Sequence, residues 1–201
     1  MEEADKYSVN IKGISFHIGS GGDFSRRDAY FNTYNSNIRL LEKIHQTVEK
    51  PILNFGGGLL YDTDLEESLG WTKNLPFEMI AEPGRYFSQP SYHLVVKVIA
   101  KTRRGLYIDN GVYHELNVYH RDYWKFPLLI NYIDNKGSIT DVLNYKQIMI
   151  FGPTCDNYDN LGMCYVPENI NVGDFIFFPH MGAYTTAGMV EFNGINGASS
   201  F

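Results

Sequence analysis

Three short apolar runs in the first ninety residues each end in a glycine-bearing turn, and that repetition constrains the fold more than any other feature of the chain. Gly13–Ile18 leads into Gly19-Ser20-Gly21-Gly22, Ile52–Phe55 into Gly56-Gly57-Gly58, and Met79–Ala81 into Glu82-Pro83-Gly84-Arg85. Between the first two, Phe31, Tyr34, Ile38, Leu41, Ile44 and Val48 recur at spacings of three and four, the mark of one amphipathic helix. Strand, glycine turn, helix, strand, glycine turn is the rhythm of a parallel α/β unit.

After about Pro90 the rhythm changes. Tyr92, Leu94, Val96, Val98 and Ala100 alternate along a long strand candidate. Gly105–Ile108, Leu128–Asn131, Gln147–Phe151 and Asp174–Phe178 read as further strands. No helical period separates them, so this half reads as antiparallel β. The expected division is an α/β part over 1–90 and an all-β part over 91–201.

Composition excludes several classes. With 44% hydrophobic residues the chain has material for a core, and its net charge of −6 argues against a nucleic-acid partner, which calls for a basic face. An acidic protein suits a small cationic substrate better. Two cysteines, Cys155 and Cys164, without a nearby histidine pair give neither a disulfide framework nor a zinc site. Met1–Asp5 is acidic, unlike a signal peptide, and no apolar run approaches the ~18 residues of a membrane span. The expectation is a soluble cytoplasmic protein with no membrane or metal requirement.

In parallel α/β folds, ligands sit at the carboxyl ends of strands, where glycine lets backbone N–H groups approach a phosphate. A single glycine turn usually just ends a strand. Three in order, the last carrying Arg85 with its bidentate guanidinium, point to a phosphate cradle.

Five segments make this specific. His17-Ile18-Gly19-Ser20-Gly21, Gly56-Gly57-Gly58, Glu82-Pro83-Gly84-Arg85, Gly152-Pro153-Thr154-Cys155-Asp156 and Met181-Gly182-Ala183-Tyr184-Thr185 stand in the order found in ornithine decarboxylases. The chain resembles that family over residues 14–194. The resemblance implies the C-terminal part of a pyridoxal-phosphate-binding (β/α)8 barrel, about three βα units over 1–90, followed by an antiparallel β-barrel or sandwich-like domain over 91–201. It implies that His17 stacks on the pyridine ring, and that Ser20, Gly56, Gly57, Gly58, Gly84, Arg85 and Tyr184 surround the phosphate. Glu82 would pair with the ring nitrogen and keep the ring an electron sink. Cys155 would return a proton to the α-carbon as a general acid. Asp156 and Asp122, the latter eleven residues beyond Gly111 at the family's spacing, would hold the distal amine of a diamino acid. Read singly, His17 is a core histidine, Glu82 a surface turn residue and Tyr184 one of fifteen tyrosines. The flanking motifs reverse those readings.

The implied activity is decarboxylation of ornithine to putrescine in polyamine biosynthesis, at a site shared across a dimer interface. One departure stands out. The family's Schiff-base lysine lies on an early barrel strand in a Tyr-Ala-Val-Lys-like setting, and none of the ten lysines here has it. Lys97 comes nearest by local sequence, but it follows Glu82–Arg85. Ninety residues also cannot close a barrel of roughly 250. Arg121 stands beside Asp122 where an aromatic is usual. The expectation is a C-terminal fragment, inactive alone, that a homodimer or a complementing N-terminal chain carrying the lysine would complete. The alternatives are a regulatory relative like the antizyme inhibitors, a decaying gene product, or a lysine, arginine or diaminopimelate decarboxylase fragment. Retention of Cys155, Asp156, Glu82 and Arg85 favours the enzyme reading.

Overall fold

The computed structural model describes residues 2–19, 26–121, 131–134 and 144–198. The chain folds as two compact units, Met1–Phe87 and Ser88–Phe201. The first contains α1 (Glu2–Lys6), β1 (Gly13–Ser15), α2 (Arg26–Ser36), α3 (Ile38–Thr47), β2 (Ile52–Asn54), α4 (Leu65–Leu69) and β3 (Glu78–Ile80), and α5 (Gly84–Ser88) begins in it. The three strands are parallel in the order β1-β2-β3, with Ile14, Leu53 and Met79 in one row and Ser15, Asn54 and Ile80 in the next.

Side chains alternate across a sheet, so the two rows face opposite ways. Leu53 packs with Tyr30, Leu41, Phe55 and Leu59 into a core. Phe55 meets Phe16, Tyr30 and Trp71 ring edge to ring face, the arrangement the aromatic quadrupole favours. The second row is open by comparison, with Ser15 and Ile80 exposed and Asn54 half-buried.

The single helix read from Phe31 to Val48 is two helices that break at Asn37. Thr33, Ser36 and Asn37 each turn a side chain back onto a carbonyl four residues earlier, Ala29, Asn32 and Thr33 respectively, at 2.8 Å. Such bonds compete with the helical ladder, and the apolar spacing ran through the break without registering it. Leu41 and Ile44 still bury the inner face of α3. At α4, Asp64 caps the helix by accepting the Glu67 N–H at 3.0 Å.

The second unit continues with β4 (Leu94–Lys101), β5 (Leu106–Ile108), α6 (Val118–Arg121), β6 (Asn131–Ile133), β7 (Tyr145–Phe151), β8 (Asn160–Pro167), β9 (Phe175–Phe178) and α7 (Thr185–Gly188). Six strands form one mixed sheet in the order β6-β9-β4-β5-β7-β8. Four pairings are antiparallel as expected, and β5–β7 runs parallel. Leu94, Val96 and Val98 alternate inward along β4 and join Leu106, Ile108, Ile150, Val166 and Ile176 in the core. Strand β8 escaped the sequence reading because it opens on Asn160-Leu161-Gly162, which reads as a turn. A register shift between Ile150 and Phe151 accommodates that start. Most of the Leu128–Asn131 strand candidate lies outside the described residues; Asn131 begins β6.

Ile176 is fully buried and Val95 on β4 is 48% exposed. Ile176→Ala is therefore expected to cost about 2–5 kcal/mol of stability through lost transfer energy and the cavity left behind. Val95→Thr is expected to stay within about 0.5 kcal/mol. Urea unfolding of both variants against wild type checks the pair.

Candidate functional site

In the first unit the site begins where the strands end. Two residues beyond Ser15, Asn54 and Ile80 stand His17, Gly56 and Glu82. The ladder continues toward them: the Phe16 N–H donates to Asn54 O at 3.0 Å, Phe55 N–H to Ile80 O at 2.9 Å, and Glu82 N–H to Gly56 O at 2.8 Å. His17 is exposed, and its Nδ1 accepts the Gly19 N–H at 2.8 Å, which sets the ring's direction. Gly57 runs close beneath that ring; a Cβ there would lie 2.8 Å from His17 Nε2 and 3.2 Å from the Glu82 carbonyl oxygen. Gly56 has a φ of +61°, a left-handed conformation that glycine adopts without steric cost.

Two side chains that the sequence reading passed over hold this turn. Tyr30, fully buried on α2, donates its hydroxyl to Gly57 O at 2.9 Å. Burial pushes its phenol up to about 12, so it remains a donor. Asn54 accepts the Gly56 N–H at 2.8 Å and donates through Nδ2 to Glu82 Oε1 at 2.7 Å. Just beyond, the Gly84 N–H donates to Glu82 O at 2.9 Å, and half-buried Arg85 lies in the first turn of α5. Ser20, Gly21 and Gly22 lie outside the described residues.

A pyridoxal phosphate fits this arrangement at two of its three attachment points. A glycine turn that any side chain would obstruct offers a phosphate close approach, and Glu82 offers a ring nitrogen a carboxylate. The third point, a lysine beside the cradle, is unmatched among the first unit's lysines. Lys12 and Lys50 precede β1 and β2, at the opposite ends of the strands. Lys6 lies in α1, Lys43 in α3, and Lys73 pairs with Glu66 at 2.6 Å.

In the second unit, the turn between β7 and β8 carries Cys155 and Asp156. Buried Asp159 shapes it, accepting the Val112 N–H at 2.9 Å and the Thr154 N–H at 3.0 Å. A side chain at Gly111 or Gly152 would collide with that carboxylate, so both glycines are needed for its position. Asp156 accepts a short hydrogen bond from the Tyr113 hydroxyl and the Tyr158 N–H at 3.0 Å. The Tyr113 bond is the main cause holding its carboxyl below the ordinary value of 3.8, and the same bond raises the phenol to about 12. Phe192 stacks on Tyr113 with centroids 4.0 Å apart, and the neighbouring Asn193 Nδ2 donates to Cys155 Sγ at 3.6 Å. Cys155 is exposed and Cys164 buried.

Of the sequence-derived residues, His17, Gly56, Gly57 and Glu82 come together in the first unit, and Cys155 and Asp156 in the second. Tyr184 is exposed at the start of α7 with a φ of +65°. Asp122 lies outside the described residues. Tyr30, Asn54, Tyr113 and Asn193 meet partners distant in sequence and left no local signal; Asp159, three residues after Asp156 in a turn-rich stretch, left a faint one. Among the described residues no helix is long and apolar enough to cross a membrane, and no group of three or more His, Cys, Asp or Glu could hold a metal.

Exposure predicts that in the native chain one thiol, Cys155, reacts with a thiol reagent, and that both react after denaturation. Titrating free thiols before and after urea checks this. Because folding lowers the Asp156 carboxyl, its contribution to stability is present above the ordinary Asp range and lost as pH falls through the folded value. Tyr113→Phe is expected to move the Asp156 titration, followed by carbon NMR, back up toward 3.8 and to flatten that acid dependence.

Residues 18–182 match the family described as pyridoxal-dependent decarboxylase, C-terminal sheet domain. The chloroplastic ornithine decarboxylase of Nicotiana glutinosa is 30% identical over 98% of this chain and 49% of its own length. Antizyme inhibitor 2 of Xenopus laevis is also 30% identical, over 96% of this chain and 48% of its own. The Paramecium bursaria Chlorella virus arginine decarboxylase bound to agmatine superposes with a TM-score of 0.75 at 27% identity, over 98% of this chain and 55% of that one. The chain thus spans about half the length of the curated relatives it matches. With the family match covering most of both folded units, the chain belongs to the pyridoxal-dependent decarboxylases.

Proposed function

We propose that this chain supplies the phosphate cradle, ring partner, proton donor and substrate carboxylate of a decarboxylase of diamino acids, with ornithine as the preferred substrate. The observation that carries the reading is the alignment of His17, the Gly56-Gly57 turn and Glu82 at the carboxyl ends of three parallel strands. When bound, pyridoxal phosphate supplies an electron sink for the pair left as carbon dioxide departs. Its holders in this chain would be the Gly56–Gly58 amides, Gly84, Arg85, Ser20 and Tyr184 around the phosphate, with His17 against the ring. Glu82 holds a proton at the ring nitrogen. Cys155 returns a proton to the substrate's α-carbon from its Sγ.

Asp156, oriented by Tyr113, holds the distal ammonium together with Asp122. Carboxylates at that end favour a second amine over a neutral side chain. Lysine, longer by one methylene, is discriminated by only ~1–3 kcal/mol. In the assembled enzyme the Cys155–Asp156 turn of one copy serves the cradle of another, and the anchoring lysine comes from polypeptide outside these 201 residues.

A second reading, a non-catalytic regulator, draws support from the unmatched lysine and from the likeness to antizyme inhibitor 2. The four retained groups Glu82, Arg85, Cys155 and Asp156 favour the enzyme, because a regulator has no chemical use for a proton donor beside a carboxylate.

The chain alone, given pyridoxal phosphate and carboxyl-labelled ornithine, is expected to release no carbon dioxide. Borohydride is expected to fix no cofactor to it. Mixed with the lysine-bearing half of a homologous ornithine decarboxylase, it is expected to regain turnover, which Cys155→Ala reduces at least a hundredfold, the order of a lost general acid, and which Asp156→Ala weakens by loosening the hold on the distal ammonium. Turnover by the isolated chain would sink the claim about the lysine. Tight antizyme binding without complementation would carry the regulatory reading instead.

A further inference from the structure

On the open face of the three-stranded sheet, Asn54 makes two contacts that the proposed chemistry does not use. Asn54 ends β2, the central strand. Its Oδ1 accepts the Gly56 N–H at 2.8 Å while its Nδ2 donates to Glu82 Oε1 at 2.7 Å. Glu82 is therefore tied to the glycine turn twice, once through its own N–H on Gly56 O at 2.8 Å and once through the Asn54 side chain. A carboxamide can accept from an amide through its oxygen while donating to a carboxylate through its nitrogen. Aspartate would keep the first bond and replace the second by two carboxylates facing each other.

The consequence reaches the ligand. A vitamin B6 phosphate carries its anionic group on a ring carbon meta to the ring nitrogen, so a rigid ring fixes the distance between the two. Recognising both together requires the glycine turn and the carboxylate to keep a fixed separation. Asn54 spans those two elements, and it does so with a neutral donor that orients Glu82 without cancelling its charge. We propose that Asn54 is a positioning residue that sets the Glu82 carboxylate relative to the phosphate cradle, so that the ring nitrogen and the phosphate of the cofactor are read as a pair. The inference rests on the cofactor reading above and deepens it.

Two probes separate the parts on the full 201-residue chain. Pyridoxine 5′-phosphate carries the phosphate and the ring nitrogen but no aldehyde, so it needs no lysine. Benzyl phosphate carries the phosphate and a ring without nitrogen. By calorimetric titration, wild type is expected to prefer pyridoxine 5′-phosphate. Asn54→Asp is expected to weaken that ligand about tenfold, the scale of one hydrogen bond to a charged group, and to leave benzyl phosphate within about twofold. Unaltered pyridoxine 5′-phosphate binding in Asn54→Asp overturns the proposal. Equal loss of both probes overturns it too, since Asn54 would then only shape the turn. A wild type that binds both probes equally rejects Glu82 as ring partner, and the proposal with it. A wild type that binds neither rejects the cofactor reading itself, which the other outcomes leave standing.

Discussion

Register in the parallel sheet of the first unit governs everything at its carboxyl edge. β2 pairs with β1 on one side and β3 on the other, and the pairing is in step: Ser15, Asn54 and Ile80 form one row. Side chains repeat every two residues along a strand, so the same face is presented again at His17, Gly56 and Glu82. A slip of one residue in either neighbour would turn His17 or Glu82 toward the Leu53 core and bring an apolar side chain to the open face. The core holds the register from behind, since Leu53 and Phe55 flank Asn54 in sequence and are both buried. Burial of apolar side chains on one face thus fixes where the polar groups stand on the other.

The second unit solves a similar problem with one buried carboxylate. Asp159 has no apolar row to set its place; it collects two backbone N–H groups from segments far apart in sequence, Val112 and Thr154. A buried carboxylate left without donors would cost several kcal/mol, so the two segments are held to the geometry that satisfies it. Cys155 and Asp156 lie between Thr154 and Asp159 in the chain and inherit that rigidity. Tyr113, one residue after Val112, reaches Asp156 from the other anchored segment.

Sequence made the glycine turns, the alternation of β4 and the motif order legible, because each is a local pattern of conformation or spacing. It also exposed the unmatched lysine, since a missing residue type in a defined setting is a local fact. What it hid are contacts between residues distant along the chain: Asn54 with Glu82, Tyr30 with Gly57, Tyr113 with Asp156. Each is a polar residue in a stretch that reads plausibly as strand or helix, and its partner is chosen only by packing. The break at Asn37 was hidden for another reason. Hydrophobic spacing reports which face is buried, and two helices that bury the same face share one spacing whether or not the backbone between them is continuous.

Glu82 and Asp156, the two carboxylates to which the proposed function gives ligands, share a property that bears on what they can bind. Glu82 is held by the Asn54 carboxamide, and Asp156 by the Tyr113 phenol and a backbone N–H. None of these donors carries a charge. An arginine or lysine in the same place would orient the carboxylate equally well, but it would neutralise it and leave little attraction for an incoming cation. Neutral donors fix direction and, as the lowered Asp156 carboxyl illustrates, favour the ionised form while leaving its whole negative charge to be met. Under the function proposed above, the partners that would complete such groups are themselves cationic donors: a protonated ring nitrogen for Glu82 and an ammonium for Asp156. The same logic explains why the two sites tolerate exposure. A carboxylate that waits for a cation must stay hydrated until it arrives, so a partly open, neutral-donor setting holds it ready at less cost than burial would.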